Sequence, residues 1–165
     1  IFSKADDVAD TARVVNKIDN IDEIVTVTNN LRKMPGVASG IDKLSDSAKF
    51  LRGTNGNAAF IPRSIGEQLS GKSFKNFDAF RGEFWKTVAN SKYASEFGAN
   101  NLSRMKDGLA PIAQSSQQYK GLKSYVLHHN TPIHAGGGVY DLSNITVVTP
   151  RLHQEILEKV YHFGN

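Results

Sequence analysis

Residues 124 to 157 hold the pattern that leaves the fold least freedom. A short apolar run, Ser124 to Leu127, ends on the adjacent pair His128–His129. Gly136, Gly137 and Gly138 follow, then the β-branched run Ile145 to Val148, then Pro150 and His153. Runs rich in β-branched and aromatic residues read as strands. Proline suits the first position of a helix, and consecutive glycines let a connection fold tightly. The segment is therefore expected to form strand, loop, strand, helix. Imidazole can bind a metal ion and can also accept a proton near neutral pH. Two adjacent rings with a third at a helix start point to chemistry more than to packing. Adjacent residues on a strand point to opposite sides, so a distortion at the strand end is expected if both rings serve one site.

The run from Leu127 through His128–His129, Pro132, the three glycines, Tyr140–Asp141, Asn144 and Thr149–Pro150 to His153 resembles the catalytic finger of the DNase colicins and S-type pyocins. That finger is the HNH, or ββα-metal, nuclease motif. The resemblance continues upstream through Phe74 to Trp85, Arg104 to Pro111 and Ile61–Pro62–Arg63, and more faintly to Arg32–Lys33–Met34–Pro35–Gly36. It spans roughly residues 31 to 165 and implies an α+β fold: a mainly helical body with a C-terminal ββα-metal finger.

The resemblance also implies roles. His128 matches a ligand of a divalent metal (magnesium, zinc or nickel), His129 the general base and His153 a second ligand. Asn144 matches the asparagine that ties the loop and holds the base in register, work that Asp141 could share. Arg32 matches an arginine that approaches the scissile phosphate, and Arg81 one that contacts the nucleic-acid backbone. His134 reads as a bystander, and Val139–Tyr140 as packing.

There are departures. The family's third ligand lies one turn after His153, where this chain has Leu157. His162, the one histidine further downstream, could replace it if the helix ends early and folds back. Val126 and Leu122 stand where a glutamate and an arginine are usual. An apolar pair can replace a charged one at little cost, and Lys123 is then the nearest cation to meet a phosphate, though without a guanidinium fork.

Elsewhere the chain reads as helices. Apolar positions at helical spacing over residues 3 to 31 predict one amphipathic helix or two, broken near Asp19–Asn20. A short helix is expected near Leu44 to Leu51, one from Pro62 to Leu69, one carrying Phe80, Phe84, Trp85 and Val88 as core, and one from Gly98 to Gly108. Residues 111 to 121 read as a loop or short helix.

Residues 1 to 30 carry a net charge of −3 in a chain of +4, which leaves +7 on residues 31 to 165. A basic body suits a polyanion. The first 30 residues are expected to be a helical junction to an upstream delivery region, and residues 31–165 the nuclease toxin domain. The chain begins at Ile1 and is expected to be the C-terminal piece of something longer. It has no cysteine, hence neither a disulfide nor a thiolate metal site.

The favoured expectation is an antibacterial toxin domain: a metal-dependent endonuclease that cuts double-stranded DNA with little sequence preference. It would be released or delivered from a producer cell, act in the target-cell cytoplasm, and be monomeric apart from a complex with an acidic immunity protein. That partner is expected to cover residues 96 to 121. Stable membrane insertion is not expected. Two rivals stay open: a nucleic-acid-binding module with a degenerate finger, and a metal-independent RNase toxin.

Overall fold

A computed structural model describes residues 21 to 162; the helix expected over residues 3 to 20 lies outside them. Five α-helices and two small antiparallel sheets are present among the described residues. Helix α1 (Ile21–Arg32) has Asp22 and Glu23 in its first turn and Arg32 in its last, charges that complement the helix dipole. It runs across the boundary expected after residue 30 and packs against the turn at residues 133 to 135. Strand β1 (Gly36–Val37) pairs with β3 (Ser73–Phe74) in a two-stranded sheet. Between them lie strand β2 (Ala58–Phe60) and helix α2 (Arg63–Leu69).

Helix α3 (Phe77–Ala89) is the centre of the core. Asn76 caps it by accepting from the Ala79 amide at 2.9 Å. Phe77, Phe80, Phe84, Trp85 and Val88 recur at the spacing that puts side chains on one helix face, and all five are buried. Helix α4 (Ala99–Lys106) packs on α3, burying Met105.

The helix expected near Leu44 to Leu51 is not there. A short 3-10 turn at Ile41–Lys43 precedes an irregular stretch that delivers Phe50 into the core. Its ring centroid lies 5.9 Å from Tyr93, 6.1 Å from Phe97 and 6.3 Å from Trp85. Burying an aromatic ring in such a cluster outweighs the modest helix propensity of the segment. The backbone amides freed by the missing helix find another acceptor: those of Phe50 and Leu51 donate to the Glu96 carboxylate at 2.7 and 3.0 Å.

Strands β4 (Val126–His129) and β5 (Ile145–Val148) form an antiparallel pair, and helix α5 (Pro150–His162) follows. The expected strand, loop, strand, helix order is therefore present. The sequence reading missed β2, which joins from the other side to give the order β2-β5-β4. Central β5 is the most apolar strand, with Ile145, Val147 and Val148 buried, as a strand covered on both faces requires. The register sets Ala59, Val147 and Leu127 in one row and Phe60, Thr146 and His128 in the next. The first row is buried core; in the second, Phe60 is exposed and the other two half-buried.

Glu96→Ala is expected to lower the unfolding free energy by about 2 kcal/mol, because it leaves two partly buried amides without an acceptor. Glu96→Gln should recover part of that loss through its one carbonyl oxygen. Urea denaturation checks this; equal stability of all three proteins would show that water satisfies the amides equally well.

Candidate functional site

The register stays regular through His129, opposite Ile145, so the strand-end distortion expected from the sequence is absent. Both rings nonetheless face one cleft, because β4 is an edge strand. His128 leaves the strand on the side of α5, beside His153, and His129 on the side of α3, against Phe77. The cleft, about 460 Å³, is walled by Ile24, Val25, Thr28, Asn29 and Arg32 of α1. Val126, His128 and His129 of β4 and His153, Ile156 and Leu157 of α5 complete it, together with the loop carrying His134.

His128 and His153 stand with ring centroids 5.2 Å apart and planes at 65°. Burial pushes both imidazoles below their ordinary pKa, that of His153 to about 4 with a further contribution from His128. Both are therefore neutral near pH 7, with a free nitrogen lone pair. Neither ring has a hydrogen bond among the described residues. Structural histidines are ordinarily satisfied; two neutral, unpartnered rings facing each other fit a divalent cation. No three histidine, cysteine or carboxylate side chains are grouped closely enough to hold an ion together among the described residues.

His129 has a different environment. Its Nε2–H donates to the Val139 carbonyl at 2.9 Å. A carbonyl can only accept, so the proton is on Nε2 and Nδ1 carries the lone pair. Burial holds the ring below its usual pKa and the nearby Arg32 charge lowers it further, against the raising effect of the Val139 contact. The ring packs on Phe77 at 4.9 Å, and the Arg32 guanidinium lies 4.9 Å from the centroid of that same Phe77 ring. Burial, followed by the charge of Arg81, also lowers the pKa of Arg32. Arg32 and Arg81 share a smaller pocket with Asn29, Lys33, Asn76 and Asp78, and Arg81 pairs with Asp78 at 2.6 Å.

The loop is held by Asn144, whose buried amide makes three hydrogen bonds. Its Oδ1 accepts from the Thr131 amide at 2.7 Å; its Nδ2 donates to the carbonyls of Thr131 at 3.0 Å and Gly138 at 3.2 Å. At Gly137 a Cβ would overlap the Thr131 carbonyl oxygen and crowd the Asn144 amide, so only glycine allows this approach. Asp141 turns inward to the chain, accepting from the Ser143 amide at 3.0 Å and hydroxyl at 2.6 Å.

Two sequence expectations are corrected. The last helix does not end before His162 but runs through it, with no fold-back. Nine helical residues on from His153 is half a turn round and about 13 Å along the axis. Leu122 is 62% exposed, so it is not the buried half of an apolar pair with Val126. Lys123 is not part of the cleft wall. Two features escaped the sequence reading. Besides Arg32, which the resemblance already singled out, Ile24, Val25, Thr28 and Asn29 of α1 wall the cleft, with only their amphipathic spacing as a signal. His134 is the other: both ring nitrogens are buried without a partner, and nothing in its sequence context announces it.

Because the folded chain protonates His153 only near pH 4 against 6.5 ordinarily, the folded state binds fewer protons than the unfolded one between those values. Its stability is complete above about pH 6.5 and falls as the pH drops toward 4. In chelator, the urea midpoint should decline from pH 7 to pH 5, and His153→Leu should flatten the decline. An unchanged pH dependence in that variant would mean that His153 is not its origin.

Residues 36–159 match the family model described as the Colicin/Pyocin-S2 DNase domain. Pyocin-S2 of Pseudomonas aeruginosa is 36% identical over 137 residues, covering 82% of this chain and 20% of the pyocin. Colicin-E8 of Escherichia coli is 38% identical over 129 residues, covering 74% of this chain and 60% of the colicin sequence. The chain thus spans about a fifth of pyocin-S2. Among solved structures, the pyocin AP41 DNase–immunity complex aligns with a TM-score of 0.68 at 30% identity, covering 77% of this chain and 95% of that one. The mutant nuclease domain of pyocin S8 with its cognate immunity protein aligns at 0.65 and 36% identity, covering 74% and 98%.

Proposed function

The chain belongs to the colicin/pyocin DNase-domain family, and on that premise we propose that it is the nuclease domain of an antibacterial toxin, hydrolysing DNA phosphodiesters with a divalent metal and neutralised by an immunity protein. The facing pair of neutral, unpartnered imidazoles, His128 and His153, carries the reading. In it the strand–loop–strand–helix unit is an HNH finger, with those two residues holding the ion. When bound, a divalent cation supplies charge stabilisation to the transferring phosphate and the leaving oxygen.

The chain's own groups do the rest. His129 accepts a proton from the attacking water at Nδ1, the nitrogen left bare by the Val139 contact. The Val139 carbonyl then steadies the charged ring through its hydrogen bond to Nε2–H. Asn144 keeps the loop bearing Val139 at the right distance. Arg32, braced on Phe77, offers its guanidinium to a phosphate oxygen beside the base, and Arg81 a second contact to the backbone. Lys123, outside the cleft wall, offers a further phosphate contact. Contacts of this kind position a duplex without reading its bases, which suits low sequence preference.

His162 stays open as a further ligand only through a rearrangement of the last helix. Leu157 in the cleft wall favours a second reading, a finger that binds nucleic acid without cutting it. The identity of the ion, release from a producer cell and action in a target cytoplasm are parts of the same proposal. So is the role of residues 1–30 as a junction to a delivery region, with α1 also walling the site.

Incubation with supercoiled plasmid or total RNA, with magnesium, zinc, nickel or chelator, separates the readings. Cleavage of plasmid only with metal is expected; binding without cleavage in every ion would establish the degenerate finger. His129→Ala should reduce cleavage about a hundredfold or more with metal affinity retained by calorimetry, whereas His128→Ala and His153→Ala should lose that affinity. Residual cleavage within tenfold of the parent would remove His129 from the role of base.

The acidic immunity protein is proposed to cover residues 96 to 121, which include the exposed face of α4 and lead into β4. Negative charge there repels incoming phosphates without filling the cleft. Hydrogen exchange on the complex should show protection over this stretch; protection confined to His128, His129 and His153 would mean direct plugging of the site.

A further inference from the structure

The nuclease reading leaves one exposed arrangement unused. Phe60, at the end of edge strand β2, is 58% exposed, and the Arg52 guanidinium lies 5.2 Å from its ring centroid. Arg52 is bridged to β2 through Ala58, its amide donating to the Ala58 carbonyl at 2.8 Å and the return bond measuring 3.2 Å. The backbone beneath this cation is therefore fixed, and Arg52 has no carboxylate partner among the described residues. A large apolar ring left in solvent with an unpaired guanidinium over it is an unusual surface, since aromatics are ordinarily buried.

Its position gives it meaning. Phe60 and His128 are both opposite Thr146, one from each side. Directly opposed residues of antiparallel strands project from the same face, so Phe60, Thr146 and His128 form one row across the outer face of the sheet. Two strand spacings set Phe60 and His128 about 10 Å apart, roughly three steps of a duplex along its axis. At the other end of this face Val148 is buried, where α5 packs over β4. The open half of the face thus runs straight from His128 to Arg52. The cleft beyond it contains Lys43 and two carboxylates, Asp46 and Asp141. Both carboxylates are engaged, Asp46 by the Ser64 amide at 3.0 Å and Asp141 by Ser143.

We propose that Arg52, held over Phe60, is a phosphate contact for the nucleic acid being cut, extending the binding track across the outer sheet face from His128. This rests on the nuclease reading and adds a substrate contact to it. The guanidinium fork supplies paired hydrogen bonds to a phosphodiester. Phe60 is a positioning residue: its ring keeps the fork flat against the face and limits the rotamer freedom lost on binding.

The test measures affinity for a short DNA duplex as a function of salt, in a His129→Ala background that prevents cutting. Arg52→Ala should reduce the slope of log affinity against log salt by roughly 0.9, and Arg52→Lys should keep the slope while losing affinity. Phe60→Leu should weaken binding about threefold, the size of an exposed cation–π contact. In proteins with His129 intact, the same changes should raise KM with kcat little altered. Both side chains are exposed, so urea midpoints should stay at the parent value. If the parent binds the duplex and all three variants bind it equally with the same slope, the Arg52 assignment is overturned while the nuclease reading stands. Loss of immunity-protein binding with unchanged DNA binding overturns it too, making the pair a protein contact. A parent that fails to bind DNA at all sinks the nuclease reading and this proposal with it.

Discussion

Consecutive side chains leave a strand in opposite directions, and the site depends on how the fold meets that constraint. Were β4 central, His128 and His129 would be separated by a sheet. Because β2 takes the far side of β5, β4 is left with a free edge, and one cleft collects both rings without disturbing the ladder. The two faces then assign the rings different neighbours. On one side α5, following directly from β5, brings His153 to His128. On the other, the core helix α3 brings Phe77 under His129, and α1 brings Arg32 to the same ring. Opposite faces thus become different chemistry: a pair without partners, and a single ring whose tautomer is fixed.

Burial explains why these imidazoles remain neutral despite a basic body. Desolvation is the largest cause of the lowered pKa at His128, His129 and His153; Arg32 and His128 reinforce it at His129, and His128 at His153. A solvated histidine in the same place would be partly protonated near neutrality and so a poorer ligand and a poorer base. Holding these rings neutral also costs the fold stability at low pH, where burial opposes their protonation. A cost of this kind is tolerated where function needs it.

Much of this was legible in the sequence, for identifiable reasons. The aromatic spacing of α3 and the β-branched strand at Ile145 are local signals, and both appear where expected. The histidine pair, Asn144 and His153 were recognisable as a group, and the fold brings them to one loop and cleft. Long-range pairings were the parts that stayed hidden. A three-residue strand such as Ala58–Phe60 has no period to detect, and only its partner β5 makes it a strand. Phe50 looked helical because the spacing around it suits a helix, yet the pocket that draws it inward is built from Trp85, Tyr93 and Phe97, far along the chain. The site neighbours on α1 were hidden for the same reason.

Leu157 shows how one substitution can act in two directions at a site like this. A histidine there would add a donor one turn from His153, on the same helix face. Leucine removes that donor, but together with Ile24, Val25 and Ile156 it lines the cleft with apolar surface. Apolar walls lower the local dielectric, strengthening each electrostatic contact that remains and deepening the desolvation that keeps the imidazoles neutral. An ion held by His128 and His153 alone would leave more of its coordination to water and phosphate. Ion and nucleic acid would then each raise the other's affinity, as linkage requires, and the metal affinity of the free chain would be lower than that of the chain with a phosphodiester in the cleft.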